Sequence, residues 1–202
     1  MKALLVVDIQ NDFLERGSLE VTNGNAIIPL VNKIQSQFDL VVATQDWHPA
    51  THKSFASNHA NKQTFEVIDL NGLPQVLWRN HCVQGSFGAE FHTDLNTQNI
   101  QAIFRKGTDI EVDSYSGFYD NDQGKSTGLH GFLTELQVTE VYICGLAADY
   151  CVFYTAKDAA TLGYKTVVIE DATKYIDETN YEEAKQEMLA LGIEFVNTEE
   201  LR

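Results

Sequence analysis

Residues 138–163 read VTEVYICGLAADYCVFYTAKDAATLG, and this stretch decides the fold. Its first part, Val138–Cys144, is rich in β-branched and aromatic residues and closes at Gly145, the pattern of a buried strand. From Asp149 onward Val152, Ala156, Ala159 and Ala160 recur at helical spacing, and Gly163 ends the segment. Asp149 is a good N-cap, which puts Cys151 in the first helical turn. There the unpaired backbone N–H groups and the helix dipole favour a thiolate over a thiol. A cysteine on such an elbow is a candidate nucleophile; its plainer reading is a small buried hydrophobe.

Five more apolar runs read as strands: Ala3–Val7, Leu40–Thr44, Ala102–Arg105, Thr166–Ile169 and Glu194–Val196. Between them Ile27, Leu30, Val31 and Ile34 mark one helix, and Leu129, Phe132, Leu133 and Leu136 another. Tyr181, Ala184, Met188 and Leu191 mark a last one, with Asn180 and Glu183 as a capping box and Gly192 as its end. Strands alternating with helices imply an α/β fold: one domain over residues 1–202, with a mostly parallel, doubly wound six-stranded sheet in three α/β/α layers. The long polar stretches 45–101 and 107–128 exceed simple connections and read as functional loops.

Composition bounds the function. With 44% hydrophobic residues among 202, the chain can bury a core without staples, and no apolar run is long enough for a membrane span. MKALLVVDIQND carries one Lys and turns acidic at Asp8, so it reads as a strand and not as a signal peptide. Three cysteines (Cys82, Cys144 and Cys151) are a sparse, odd set that points to a reducing, cytoplasmic setting. A net charge of −15 argues against nucleic acid and anionic membrane as partners.

Ligands of such folds bind at the carboxyl ends of the strands. Asp8 follows the first strand, Lys106 the third, and Cys151 the fourth. A lysine close to the thiol favours its ionised form, and a carboxylate can relay its proton. Taken singly, Asp8 suits a turn and Lys106 a solvated surface. A second cluster lies in TQDWHP, where Asp46 and His48 stand two apart and so share one side of an extended backbone. His81 in WRNHCVQG would supply a third ligand. Two imidazoles and a carboxylate suit zinc, iron or manganese and leave coordination positions open. His52, His59, His92 and His130 read as mostly exposed loop residues, with His52 the nearest to this cluster. Cys82 reads as packing, with soft ligation as the alternative, and Cys144 as core.

LLVVDIQNDFLERGSLEV, TQDWHPATHKSFAS, WRNHCVQGSFGAEFH, FRKGTD, SYSGF and ICGLAADYCVFYTAKDA follow one another along nearly the whole chain. In this order they resemble the nicotinamidases of the isochorismatase-like cysteine hydrolase family, which have a Rossmann-type topology. The resemblance implies a catalytic triad of Asp8, Lys106 and Cys151 and a divalent metal on Asp46, His48 and His81, zinc first, with iron or manganese as alternatives. It also implies a non-proline cis peptide before Ala147 that aims its N–H, with that of Cys151, at one point as an oxyanion hole. Phe13, Trp78 and Tyr115 match positions around the substrate ring, although Phe13 and Tyr115 also suit ordinary loop anchoring. The implied substrate is nicotinamide, in a pathway of NAD salvage, with acceptance of pyrazinamide left to the pocket's dimensions. The alternative is a related cysteine amidohydrolase acting on another small amide or a carbamoyl compound. A metal-hydroxide hydrolase would not need Cys151, and a redox sensor would carry a resolving cysteine nearby. Oligomeric state, including a homo-oligomer, is left open.

Overall fold

The computed structural model describes residues 1–201. Six strands form one sheet: β1 (Lys2–Val7), β2 (Leu40–Asp46), β5 (Ala102–Lys106), β6 (Glu140–Leu146), β7 (Lys165–Lys174) and β8 (Glu194–Val196). Their order is β5–β2–β1–β6–β7–β8, and every neighbouring pair is parallel. Two strands outside the sheet, β3 (Val67–Leu70) and β4 (Leu73–Val76), pair as an antiparallel hairpin. The helices are α1 (Ile28–Ile34), α2 (Leu129–Glu135), α3 (Cys151–Thr161) and α4 (Glu178–Ala190).

The central strand explains the layering. Ala3 to Val7 are all buried, so β1 is covered on both faces, as an unbroken apolar run in a parallel sheet requires. Successive side chains point to opposite faces. Leu4 and Val6 pack in one core with Ile28, Val31 and Ile34 of α1. Ala3, Leu5 and Val7 join a second core with Leu129 and Leu133 of α2, Val152 and Ala156 of α3, and Met188 of α4. The sheet is therefore sandwiched between α1 on one side and the other three helices on the other.

The chain winds from β1 outward through β2 to β5, then returns across the sheet to β6. That reversal beside β1 opens a crevice at the carboxyl ends of the strands. Register sets what stands at its rim. Val7 pairs with Thr44 on one side and with Gly145 on the other, and Asp46 pairs with Lys106. Asp8, Asp46 and Lys106 therefore emerge together, and Cys151 opens α3 just beyond β6.

All six expected sheet strands are present, with different ends: β2 reaches Asp46, β5 reaches Lys106, and β7 runs to Lys174. Strand β6 starts at Glu140, later than the expected Val138, and continues through Gly145 to Leu146. The β3–β4 hairpin lies within 45–101, a stretch that read as a functional loop. Its strands are mostly exposed or half-buried, so they carry no apolar run, but Asn71–Gly72 at left-handed φ of 56° and 86° is the expected turn signal. Two caps also differ. Tyr150, not Asp149, occupies the N-cap of α3, and the Asp149 carboxylate instead accepts the N–H groups of Ile176 and Asp177, both at 3.0 Å. Helix α4 starts a turn earlier than a box at Asn180–Glu183 allows, because the Asp177 side chain caps it by accepting the Asn180 N–H at 2.9 Å. Truncation of central Leu5 to Ala, fully buried in the larger helical face, is expected to cost about 2–5 kcal/mol of stability in equilibrium urea denaturation.

Candidate active site

One ammonium organises the crevice. Lys106 at the end of β5 is 1% exposed. Its Nζ lies 2.9 Å from Asp8 Oδ2, donates to Asp46 Oδ1, and reaches the Ser114 carbonyl at 3.0 Å and Cys151 Sγ at 3.3 Å. Burial alone would strip its proton, but Asp46, Asp8 and Cys151 around it win, and Lys106 is held well above the usual lysine range. Asp8, Asp46 and Cys151 would themselves converge on a cation, and the ammonium is already at their centre.

Asp8 follows the last residue of β1 in a left-handed conformation, φ 47°, which turns its side chain into the crevice. Its Oδ1 accepts the Thr44 hydroxyl at 2.6 Å. Its Oδ2 faces the Lys106 ammonium. Burial pushes the Asp8 carboxyl above the usual carboxylate range, with Lys106 opposing and Asp46 adding to the rise. Burial likewise pushes the Cys151 thiol well up, and Lys106 only partly offsets this. The first-turn position holds, but burial acts against the expected thiolate, and the helix end and the lysine act for it.

The second cluster is built on β2 and the turn at residue 81. Asp46 Oδ2 lies 3.4 Å from His48 Nε2 and 3.7 Å from His81 Nε2, all three side chains being buried. Each imidazole is oriented from behind: His48 Nδ1–H donates to the Gly107 carbonyl at 2.9 Å, and His81 Nδ1–H to the Arg79 carbonyl at 2.8 Å. Gly107 must be glycine, since it has φ +63° and a Cβ would fall 2.3 Å from the His48 ring. These carbonyls fix the tautomers so that both Nε2 lone pairs face the Asp46 oxygen. Three converging acceptors repel unless a cation sits among them. Burial lowers the proton affinity of His48, but Asp46 more than restores it and raises His48 above the usual histidine range. The donor set therefore fits a divalent ion with open positions.

His52 is fully buried, not a loop residue in water, and its ring centroid stands 4.5 Å from that of His48. Its Nδ1 accepts the Ser54 N–H at 3.1 Å, so Nε2 carries the hydrogen; that atom is buried without a partner. Burial pushes its pKa down to about 4, so the ring is neutral. His59, His92 and His130 are half-buried and outside the cluster, with His130 on α2. Cys82 is buried packing, and Cys144 is core.

Cys151 and the Asp46–His48–His81 cluster face one cavity. Phe13, Trp78 and Tyr115 line it as expected, together with Asp46, His48, His81, Ala147 and Cys151. The Trp78 indole N–H donates to the Tyr115 hydroxyl at 3.2 Å, which locks two walls together. Leu19, Asp113, Tyr150 and Ile176 also line it and were not singled out in the sequence. The Leu146–Ala147 peptide is cis, as expected. Around it the Ala147 carbonyl accepts from Tyr150 and Val152, and the Ala148 N–H donates to Lys174.

The isochorismatase domain matches residues 2–200 of this chain. The chain belongs to the isochorismatase family. Within it, the chain is 48% identical to a nicotinamidase of Acinetobacter baylyi over 97% of its own length and 92% of the relative's. It is 44% identical to an Escherichia coli nicotinamidase, over 87% and 84%. Its structure superposes on an Acinetobacter baumanii nicotinamidase/pyrazinamidase with TM-score 0.97 at 48% identity, covering 100% and 98% of the chains. The yeast nicotinamidase bound to the inhibitor nicotinaldehyde gives 0.91 at 34%, covering 98% and 100%. A Pyrococcus horikoshii pyrazinamidase in complex with zinc gives 0.79 at 38%, covering 97% and 98%.

In this family member, replacing Lys106 by Met leaves two buried carboxylates without their counter-ion. The expected loss is about 3–5 kcal/mol of stability, read by denaturant titration.

Proposed function

We propose that this isochorismatase-family chain hydrolyses nicotinamide to nicotinate and ammonia through a thioester on Cys151, as an amidohydrolase of NAD salvage. One observation carries the reading: the Cys151 thiol, with the Lys106 ammonium and its partner Asp8 behind it, opens on an aromatic-walled cavity that it shares with a carboxylate–bis-imidazole cluster. The high identity to nicotinamidases over nearly the full chain supports it.

A divalent ion on Asp46, His48 and His81 would supply a Lewis-acid contact for the pyridine nitrogen. Zinc is our choice, supported by the donor set and by the zinc-bound pyrazinamidase relative. Phe13, Trp78 and Tyr115 clamp the ring and bring its carboxamide to Cys151. Asp8 Oδ2 takes the thiol proton as Sγ bonds to the carboxamide carbon. Lys106, close to both groups, stabilises the negative charge whichever of them carries it. The oxyanion is received by the N–H groups of Ala147 and Cys151, each such donor being worth about 100- to 1000-fold in rate. The tetrahedral adduct collapses, the C–N bond breaks, and Asp8 returns the proton to the departing ammonia. Asp8 then deprotonates a water that attacks the thioester, and the C–S bond breaks to release nicotinate and restore the thiol. The three unpaired cysteines support a cytoplasmic setting, and among the described residues no helix is long and apolar enough to cross a membrane. Pyrazinamide, which keeps a ring nitrogen one carbon removed from the carboxamide-bearing carbon as in nicotinamide, is the second substrate we assign.

An ammonia-release assay tests this. Nicotinamide should be turned over far faster than benzamide, chelation should remove that advantage, and Cys151→Ala should abolish turnover. Equal rates on both amides, or full activity after exhaustive chelation, would remove the metal from the scheme. Preference for a carbamoyl compound would favour the other amidohydrolase reading. The raised Asp8 carboxyl sets the pH dependence. Asp8 must be ionised to accept the thiol proton, so kcat/KM should fall as pH drops through a value above that of an ordinary aspartate. A limb at or below the ordinary aspartate range in a pH–rate profile would contradict this.

A further inference from the structure

Asp12 stands in the QNDF motif after β1, and nothing in the proposed chemistry uses it. Its carboxylate nevertheless reaches across 70 residues of sequence: Oδ2 accepts the Cys82 N–H at 2.7 Å. Oδ1 accepts the Ser18 N–H at 3.2 Å, and the Asp12 carbonyl accepts the Leu19 N–H at 2.9 Å. One residue thereby grips both the turn that carries His81 and the loop that brings Leu19 to the cavity wall.

The turn needs gripping. Cys82, directly after His81, sits at φ 45°, a left-handed conformation that a non-glycine residue adopts only when its surroundings impose it. An ionised acceptor on its N–H is a strong constraint of this kind, because charge-assisted hydrogen bonds are about twice as strong as neutral ones. The carboxylate is itself seated against Gly88, where a Cβ would fall 2.0 Å from Oδ2. Neighbouring contacts tie the same segments together. Asn11 Nδ2 donates to the Phe87 carbonyl at 2.8 Å, and the Phe13 ring packs against the His81 imidazole at 5.4 Å.

We infer that Asp12 is a positioning residue for the metal: by fixing the Cys82 N–H against the seat at Gly88, it aims His81 Nε2 at Asp46 Oδ2. The inference rests on Asp46, His48 and His81 being the ligands. It adds a second support for His81, acting through the backbone, to the Arg79 carbonyl that orients the ring.

The test uses the zinc affinity of the purified full chain, measured by competition with a chromophoric chelator, alongside thermal unfolding of the zinc-free protein. Asp12→Asn keeps the shape and removes the charge. Gly88→Ala leaves Asp12 intact and displaces its carboxylate. Each variant should raise the zinc dissociation constant about 10- to 100-fold, the usual effect of losing an outer-shell partner. Saturating zinc should restore turnover toward that of the parent chain. Either variant, if folded, suffices for the measurement. Affinity within twofold of the parent in both would overturn the inference, even with lowered thermal stability, since that pattern marks a merely structural residue. His81→Ala separates the two levels of the argument. If it loses zinc while Asp12→Asn and Gly88→Ala do not, only the role of Asp12 fails; if it too binds like the parent, the ligand assignment fails and the inference with it.

Discussion

A lysine ammonium buried among two carboxylates and a thiol is the constraint on which the rest of the site depends. Taking a cation out of water costs several kcal/mol unless its partners are close and well aimed. Lys106 meets that condition only because β5 and β2 are in register, so that Asp46 stands opposite it, while β1 delivers Asp8 from the next strand over. The Thr44 hydroxyl and the Ser114 carbonyl complete the cage. Asp46 thereby faces two ways, one oxygen toward the ammonium and the other toward the imidazoles. The reactive and the ligand-orienting halves of the cavity share this one carboxylate. Lys106 and His48 hold it well below the usual carboxylate range despite its burial.

The same dryness separates resting chemistry from reactive chemistry. A thiolate in an open cleft is exposed to oxidants and to adventitious electrophiles. Here burial favours the thiol, next to a carboxylate that is ion-paired with Lys106. In the proposed chemistry the nucleophile forms as it attacks.

Much of this was legible in the sequence, for a physical reason. A strand buried on both faces must be apolar along its length, so LLVV, LVVA and VYIC announce themselves, and an ionisable residue just past such a run is placed by default at the strand end. Asp8 and Lys106 follow that rule, and Asp46 and His48 follow the two-residue period of extended chain. What could not be read depends on tertiary environment. Whether Cys151 ionises is decided by burial that no local pattern reports. Asp149 looks like a cap, but the residue after it took that position, and its carboxylate found partners in residues 176 and 177. Leu19, Asp113, Tyr150 and Ile176 reach the cavity from loops or from an elbow, where periodicity says nothing about direction. The β3–β4 hairpin was concealed by its half-exposed strands, although its Asn–Gly turn was visible.

The register that gathers residues 8, 46, 106 and 151 also has a consequence in time. Every pair in the sheet is parallel, and each needs a long crossover before its strands can meet, so most of its contacts join distant parts of the chain. β1 is made first but finds its partner β6 only after some 130 residues more of chain. The thiol, the carboxylate and the ammonium lie on segments made far apart in time, and they can meet only once β6 and α3 have joined the sheet.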